Sequence, residues 1–360
     1  MNNLPEFKSC TKPFLFALLL ILITFNACKK DDLKEEELYF PSTVDNTWET
    51  IHFKDLGIER AKLDTLIQFV RTKKSHSLIV LHKGKILIEK YWQTYTEDQR
   101  DFVGSVEKGF VAFLIGKAQE EGLLNINNKM SDHLGDGWTS MSAAQENAIT
   151  IKHCLKMTTG FTFSGLCADP ECITYDVAPD TKWEYSQAAL YKLMDVLAAA
   201  TGKPYLEYFQ EKLINPLNMD VALEDLLMYC RPRDLAKFGL LMLANGHWDE
   251  QPMLSDSTYF DAMLQTSQPH NPSYGYLWWL NGKGSYIQPG TNTTLWQKDV
   301  VETAPDDMYF AYGTGDIKLY VCPSMDLVVA RTGKIAYDFN NLSNSFDEDV
   351  WLRIMAMFEE

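Results

Sequence analysis

The sequence predicts an α+β fold. One antiparallel sheet is built from both chain ends and flanked by helices, and a mostly helical subdomain is inserted between them. Three observations predict it. β-rich runs stand near both ends, at Ser77–Trp92 and again between Met308 and Gly333. From about residue 100 to 270 the apolar spacing is mostly helical. Helical text also frames the whole, as "LDTLIQFVRTKK" before the first strands and "DEDVWLRIMAMFEE" at the end. A half-apolar sheet must bury a face, so terminal helices on the sheet are the economical arrangement. The cleft between sheet and insertion is then the expected place for a site.

The elements follow in order. Lys8 and Lys12 precede an apolar run, Phe14 to Phe25, and then "NACKKDD". Charge, a short apolar core and a small residue at the cut describe an export signal over residues 1–27. Cys28 after Ala27 resembles the cleavage and lipidation site of bacterial lipoproteins, with Phe25 where Leu is usual. The other reading is an uncleaved anchor, but the run falls short of the ~20 residues a spanning helix needs. Residues 28–48, beginning "CKKDDLKEEE", read as a lipidated Cys and a charged, solvated spacer. The folded domain is expected over 49–360, with the helical insertion at roughly 100–300. Leu66, Phe69 and Val70 share one side of the first helix. "SLIVLHKGKILIEKYW" is two β-rich runs around a turn, a hairpin. "MYFAYG", "IKLYVCP" and "LVVARTG" supply three more strands, the last two joined by "PSMD".

Composition narrows the function. The chain has 360 residues, 46% of them hydrophobic, enough for one large core. Its formal charge of −16 disfavours nucleic acid, whose phosphates need Lys and Arg. Five cysteines follow Cys28: Cys154, Cys167, Cys172, Cys230 and Cys322. Cys167 and Cys172 flank "ADPE" and read equally as a loop disulfide or as two free thiols. No Cys or His spacing suggests a metal site, and no cofactor is expected.

The stretch "DFVGSVEKGFVAFLIGKAQEEGLL" carries the chemistry. Ser105 and Lys108 are three apart, hence on one face of a helix. A serine hydroxyl is a poor nucleophile until a base takes its proton. A lysine serves if burial lowers its pKa. The helix N-terminus adds N–H groups for a developing oxyanion. Val106, Phe110 and Leu114 form the apolar face that buries this helix. Taken alone, Ser-x-x-Lys also reads as a helix cap and a solvated lysine. Glu107 offers Lys108 a charged partner, and Gly109 weakens the helix.

The surrounding text resembles the serine β-lactamase and penicillin-binding-protein superfamily, most closely its class C and esterase branch. "FVGSVEKGFVAFLIGKAQEEGLLNINNKMSDHL" resembles its nucleophile helix. "ITIKHCLKMTTGF", "WEYSQAALYKLMDVLAAATGKPYLEYFQEKLINPLNM", "RPRDLAKFGLLMLANGHW" and "YGYLWWL" follow in the family's order. The resemblance covers about residues 50 to 358. It implies a β-lactamase/transpeptidase-like fold, Ser105 as nucleophile and Lys108 as its base or proton shuttle. It also implies Tyr185 as the second-motif phenol, with its pKa lowered beside the ammonium.

Two positions depart from the pattern. Gln187 stands where the second motif has Asn, one methylene longer. The third motif best matches Gly313-Thr314-Gly315, with Gly313 in place of the cation. Thr314 would contact substrate, Gly315 would let a backbone approach, and an N–H near Asp316 would complete an oxyanion hole. Without the cation, a β-lactam carboxylate loses its partner.

Other candidates read as structure. There is no Gly-x-Ser-x-Gly elbow for a His-based triad. His133 and His153 read as surface or satisfied residues, Asp169 and Glu171 as a solvated loop, and Asp234 as a helix cap. Trp278 and Trp279 read as cleft rim or core, or one of them as a stacking platform. The expected function is an envelope-anchored serine hydrolase acting on a small ester, amide or peptide, an esterase or amidase rather than a true β-lactamase. Its place would be the outer membrane, facing the periplasm or the surface. The alternative is a catalytically impaired lipoprotein that uses this fold to bind or sense.

Overall fold

The structure, a computed structural model, describes residues 37–45, 47–290, 294–336 and 345–359. The export signal, Cys28 and the spacer up to residue 36 lie outside the described residues. Glu37–Glu360 forms one compact unit.

Helix α1, Arg60–Thr72, buries Leu63, Leu66 and Val70, one stripe at helical spacing. It leads into β1, Ser75–His82, and β2, Lys85–Tyr91. Lys83 and Gly84 join them with φ of 48° and 81°, the two left-handed residues of a tight hairpin turn. At the other end come β7, Tyr309–Gly313, β8, Ile317–Cys322, and β9, Leu327–Gly333. Within "YGYLWWL" lies a short edge strand, β6, Trp279–Leu280. The six form one antiparallel sheet in the order β2-β1-β9-β8-β7-β6. The chain's two ends therefore meet at the β1–β9 pair in the middle of the sheet. These central strands are buried almost throughout. That explains why they read as unbroken apolar runs rather than as alternation.

Helix α5, Ser345–Phe358, packs with α1, and α1 lies on β1. Helix α4, Pro232–Leu243, packs on β1, β8 and β9. Asp234 does not cap α4. Arg231 holds the cap position, Pro232 opens the helix, and Asp234 falls in the first turn. Its fully buried carboxylate instead accepts the Asp220 N–H at 2.9 Å and Arg231 Nε at 2.7 Å.

The insertion centres on α2, Glu107–Glu120, packed against α3, Gln187–Thr201. Helix α2 is not amphipathic in place: every residue from Glu107 to Gly116 is buried. Gly109 is the price of that burial, since a Cβ there would sit 2.8 Å from the Trp278 ring. Trp278 is thus core, fully enclosed. A small second sheet joins β3, Asp101–Phe102, to β5, Leu227–Cys230, and β5 to β4, Val221–Glu224. It anchors the chain just before Ser105. Cys167 and Cys172 are disulfide-bonded, while Cys154, Cys230 and Cys322 are buried thiols. His153 is satisfied: its Nδ1 accepts the Thr150 N–H at 3.0 Å, and Nε2 lies 3.3 Å from Asp180.

Candidate active site

Ser105 lies in a single 3-10 turn, Gly104–Val106, that runs directly into α2. The turn sets its hydroxyl at the positive end of the helix. Lys108, one turn on, is 1% exposed. Its Nζ donates to Ser105 Oγ at 3.0 Å and to Gln187 Oε1 at 2.6 Å. Gln187 reaches it because it opens α3, whose cap Ser186 accepts the Ala189 N–H at 3.2 Å. The extra methylene of Gln187 does not break this contact; it spans the gap between the two helix starts.

Burial drives the electrostatics. It lowers the Lys108 pKa to about 7, against the pull of Glu107. Glu107 is no charged partner. Its Oε1 is buried without a hydrogen-bond partner, and burial raises its pKa to about 8. Burial thus works against charge on both side chains. A neutral amine at hydrogen-bond distance from a serine hydroxyl can accept its proton.

Tyr185 closes the other side. The Lys108 Nζ lies 4.7 Å from its ring centroid. A side-chain hydrogen bond to Ser105 draws the phenol's pKa down, but burial outweighs it and the net shift is upward. This corrects the expectation of an acidified phenol: Tyr185 is neutral and can both donate and accept a hydrogen bond. The ring is held by Trp279, stacked at 6.4 Å, and by Tyr274, edge-on at 6.3 Å. Trp279 is 4% exposed, so it supports Tyr185 rather than forming an open stacking platform.

The end of β7, rather than the hairpin turn after it, makes the close approach expected of the third motif. A Cβ on Gly313 would lie 2.3 Å from the Val103 carbonyl oxygen. A Cβ on Gly104, whose φ is +55°, would lie 2.9 Å from the Thr314 nitrogen. Two glycines thus let the end of β7 touch the nucleophile turn. The close-approach glycine is Gly313, not Gly315, which serves the hairpin turn with φ of +94°. Counting Lys-Thr-Gly back from Gly313 puts the cation position at Ala311, which is buried. Asp316 is committed to the hairpin's interior. Its Oδ2 accepts the Ala336 N–H at 2.8 Å, and Oδ1 is 3.7 Å from Lys318. The backbone nitrogen brought to the nucleophile turn is that of Thr314, whose side chain is exposed.

Sequence reasoning passed over Tyr312. It interacts electrostatically with Tyr185, and the Lys318 Nζ sits 3.5 Å from its ring centroid. The cross-strand register Tyr312↔Lys318 is the signal that would have paired them. Lys318 is no substitute for the missing cation: it is fully buried and bound to Asp347 at 2.9 Å. Among the described residues no group of three His, Cys, Asp or Glu could hold a metal ion.

Known proteins share this arrangement at the level of fold and domain. Residues 64–222 match the family model described as Beta-lactamase. An uncharacterized protein of Alkalihalophilus pseudofirmus is 19% identical over 297 residues, 71% of this chain and 82% of that one. A Bacteroides dorei structure assigned as a β-lactamase superposes with a TM-score of 0.65 at 16% identity, covering 84% of this chain and 100% of its own. A Bacillus anthracis structure assigned as a 6-aminohexanoate-dimer hydrolase gives 0.67 at 15% identity, covering 90% of this chain and 92% of its own. The chain therefore has a β-lactamase/transpeptidase-like fold, and its residues 64–222 match the Beta-lactamase family model.

Proposed function

We propose that the protein is a serine hydrolase that cleaves an ester or amide without a carboxylate close to the reacting carbonyl. The observation that carries this reading is the Lys108 amine, near-neutral in pKa, 3.0 Å from Ser105 Oγ. Neutral Lys108 takes the Ser105 proton as Oγ attacks the carbonyl carbon. The Ser105 and Thr314 N–H groups receive the oxyanion. Lys108, now an ammonium, returns the proton through the neutral Tyr185 hydroxyl to the leaving oxygen or nitrogen as its bond to carbon breaks. Water enters by the reverse path, releases the acid and frees Ser105. Gln187 keeps the lysine aimed.

The substrate preference follows from charge. Ala311 stands at the cation position, and Lys318 is already neutralised by Asp347. A carboxylate bound there would lose its water without gaining a partner, at a cost of several kcal/mol. The 6-aminohexanoate-dimer hydrolase likeness agrees with an amide outside the β-lactam class. The test is a matched pair of p-nitrophenyl esters, butyrate and hemisuccinate, with nitrocefin beside them. The neutral ester is expected to have the higher kcat/KM by at least about tenfold, and nitrocefin to turn over slowly or not at all. Equal rates for the two esters, or rapid nitrocefin hydrolysis, would remove the charge argument. The same missing cation favours a second reading, a binding module, and that reading requires no turnover of any probe.

We further propose lipid anchoring at the bacterial envelope through Cys28, on the strength of "NACKKDD" after the apolar run. Labelled palmitate should enter the wild-type protein and not Cys28→Ser. Equal labelling of both would refute the assignment.

A further inference from the structure

We infer that Arg331 is a positioning residue for the oxyanion site, acting through the hairpin that carries Thr314. This rests on the hydrolase reading above and names a part of the site that no motif contains. Arg331 lies on β9 and is 1% exposed. Such a charge is normally matched by a carboxylate. Here the guanidinium's hydrogen bonds go elsewhere. Its Nη1 donates to the carbonyl oxygens of Gly315 at 2.8 Å and Asp316 at 2.7 Å. Its Nη2 donates to the carbonyls of Lys73 at 2.8 Å and Lys334 at 2.9 Å. Its Nε donates to Ser75 Oγ at 2.9 Å. Five N–H bonds are thus satisfied by one hydroxyl and four carbonyls, which is the full donor set of an arginine.

The placement explains why an arginine is there. The turn Thr314–Asp316 joins β7 to β8, and its last regular pair is Gly313↔Ile317. Asp316 has φ of +57° and Gly315 of +94°, so the turn is tight. Two of its carbonyls point inward and would be buried acceptors without donors. Arg331 supplies both from one nitrogen and ties them to the backbone entering β1 and leaving β9. The Asp316 carboxylate holds the same turn from the side, through the Ala336 N–H at 2.8 Å. Thr314 is left between two fixed points, the β7 end against Val103 and the clamped peptides after it. Its backbone nitrogen is therefore held beside the Gly104 turn with little freedom. An oxyanion donor works only if it is aimed before the charge develops. A lysine has neither the fork nor the five donors to hold the same four carbonyls.

The test uses Arg331→Lys and Arg331→Met in the folded protein, with Val329→Ala as a core deletion on the same strand. Deuterium uptake of the peptide covering residues 309–317 is read first, because it does not depend on activity. Uptake there should rise at least about tenfold in rate in Arg331→Met and less in Arg331→Lys, with the α2 and α3 peptides unchanged. With a p-nitrophenyl ester, kcat should fall roughly 10- to 100-fold in Arg331→Lys and further in Arg331→Met. KM should stay within about twofold, and the ascending pH limb set by Lys108 should not move. Val329→Ala should lower Tm and leave kcat alone. Unchanged exchange in the hairpin overturns the clamp, whatever the enzyme does. Altered exchange with an unchanged kcat overturns its role in catalysis. A wild-type protein inert to every ester and every serine probe defeats the hydrolase reading and with it this role, while the exchange result still decides the clamp.

Discussion

Lys108→Ala is expected to lower kcat for a p-nitrophenyl ester by 10² to 10⁴, the usual worth of a positioned general base. Lys108 sits at the centre of the contacts around Ser105. Its amine is the group hydrogen-bonded to both Ser105 Oγ and Gln187 Oε1, and Glu107 keeps its own proton up to about pH 8. The pH profile gives the sharper form of the prediction. Burial lowers the Lys108 pKa from the ordinary lysine value of 10.5 to about 7, so wild-type kcat/KM should climb through pH 7 as the amine loses its proton. The Tyr185 phenol is shifted upward, so it adds no falling limb in the neutral range. Lys108→Arg should be inactive at every pH, because a guanidinium does not deprotonate there. The same shift enters stability with a definite sign. Between pH 7 and 10.5 the unfolded chain holds a proton on Lys108 that the native state has released. This group therefore makes the fold more stable as pH rises through that window. A rate limb lying above pH 10, or one retained in Lys108→Ala, would take the base role away from Lys108.

Gly313→Ala should cost 10² to 10³ in kcat with little change in KM. The added methyl would meet the Val103 carbonyl oxygen at 2.3 Å, a backbone atom with no rotamer to yield. Either β7 retreats or the turn carrying Ser105 does, and in both cases the Thr314 nitrogen shifts relative to Gly104. Losing one oxyanion donor has effects of that size. No backbone strain enters, since Gly313 is not in the left-handed region. The Lys108 limb near pH 7 should persist, which separates this effect from loss of the base. Wild-type kcat in Gly313→Ala would mean that β7 does not supply the second donor.

These two predictions differ in how readily the sequence discloses their residues. The Ser105–Lys108 pair shows itself by helical spacing, and the sheet by apolar runs long enough to be strands. The hairpin at Lys83–Gly84 shows itself by turn chemistry. Strand β3 has two residues and pairs with β5 more than a hundred positions away, so no local pattern marks it. The full burial of α2 was hidden for another reason. Its polar positions Glu107 and Lys108 read as a solvated face, yet both are enclosed. That tertiary fact sets both pKa values. Gly313 and Gly315 are interchangeable in a string, and only the contact with Val103 tells them apart. Arg331 was invisible because its partners are backbone carbonyls, which no side-chain pattern reports.

The central claim is that Ser105 is an activated nucleophile. It is tested most directly by intact-mass measurement after incubation with a fluorophosphonate at pH 8, followed by peptide mapping. One adduct per chain is expected, on Ser105, and none in Ser105→Ala under the same conditions. A wild-type protein that stays unmodified, or an adduct that persists in Ser105→Ala, would contradict it.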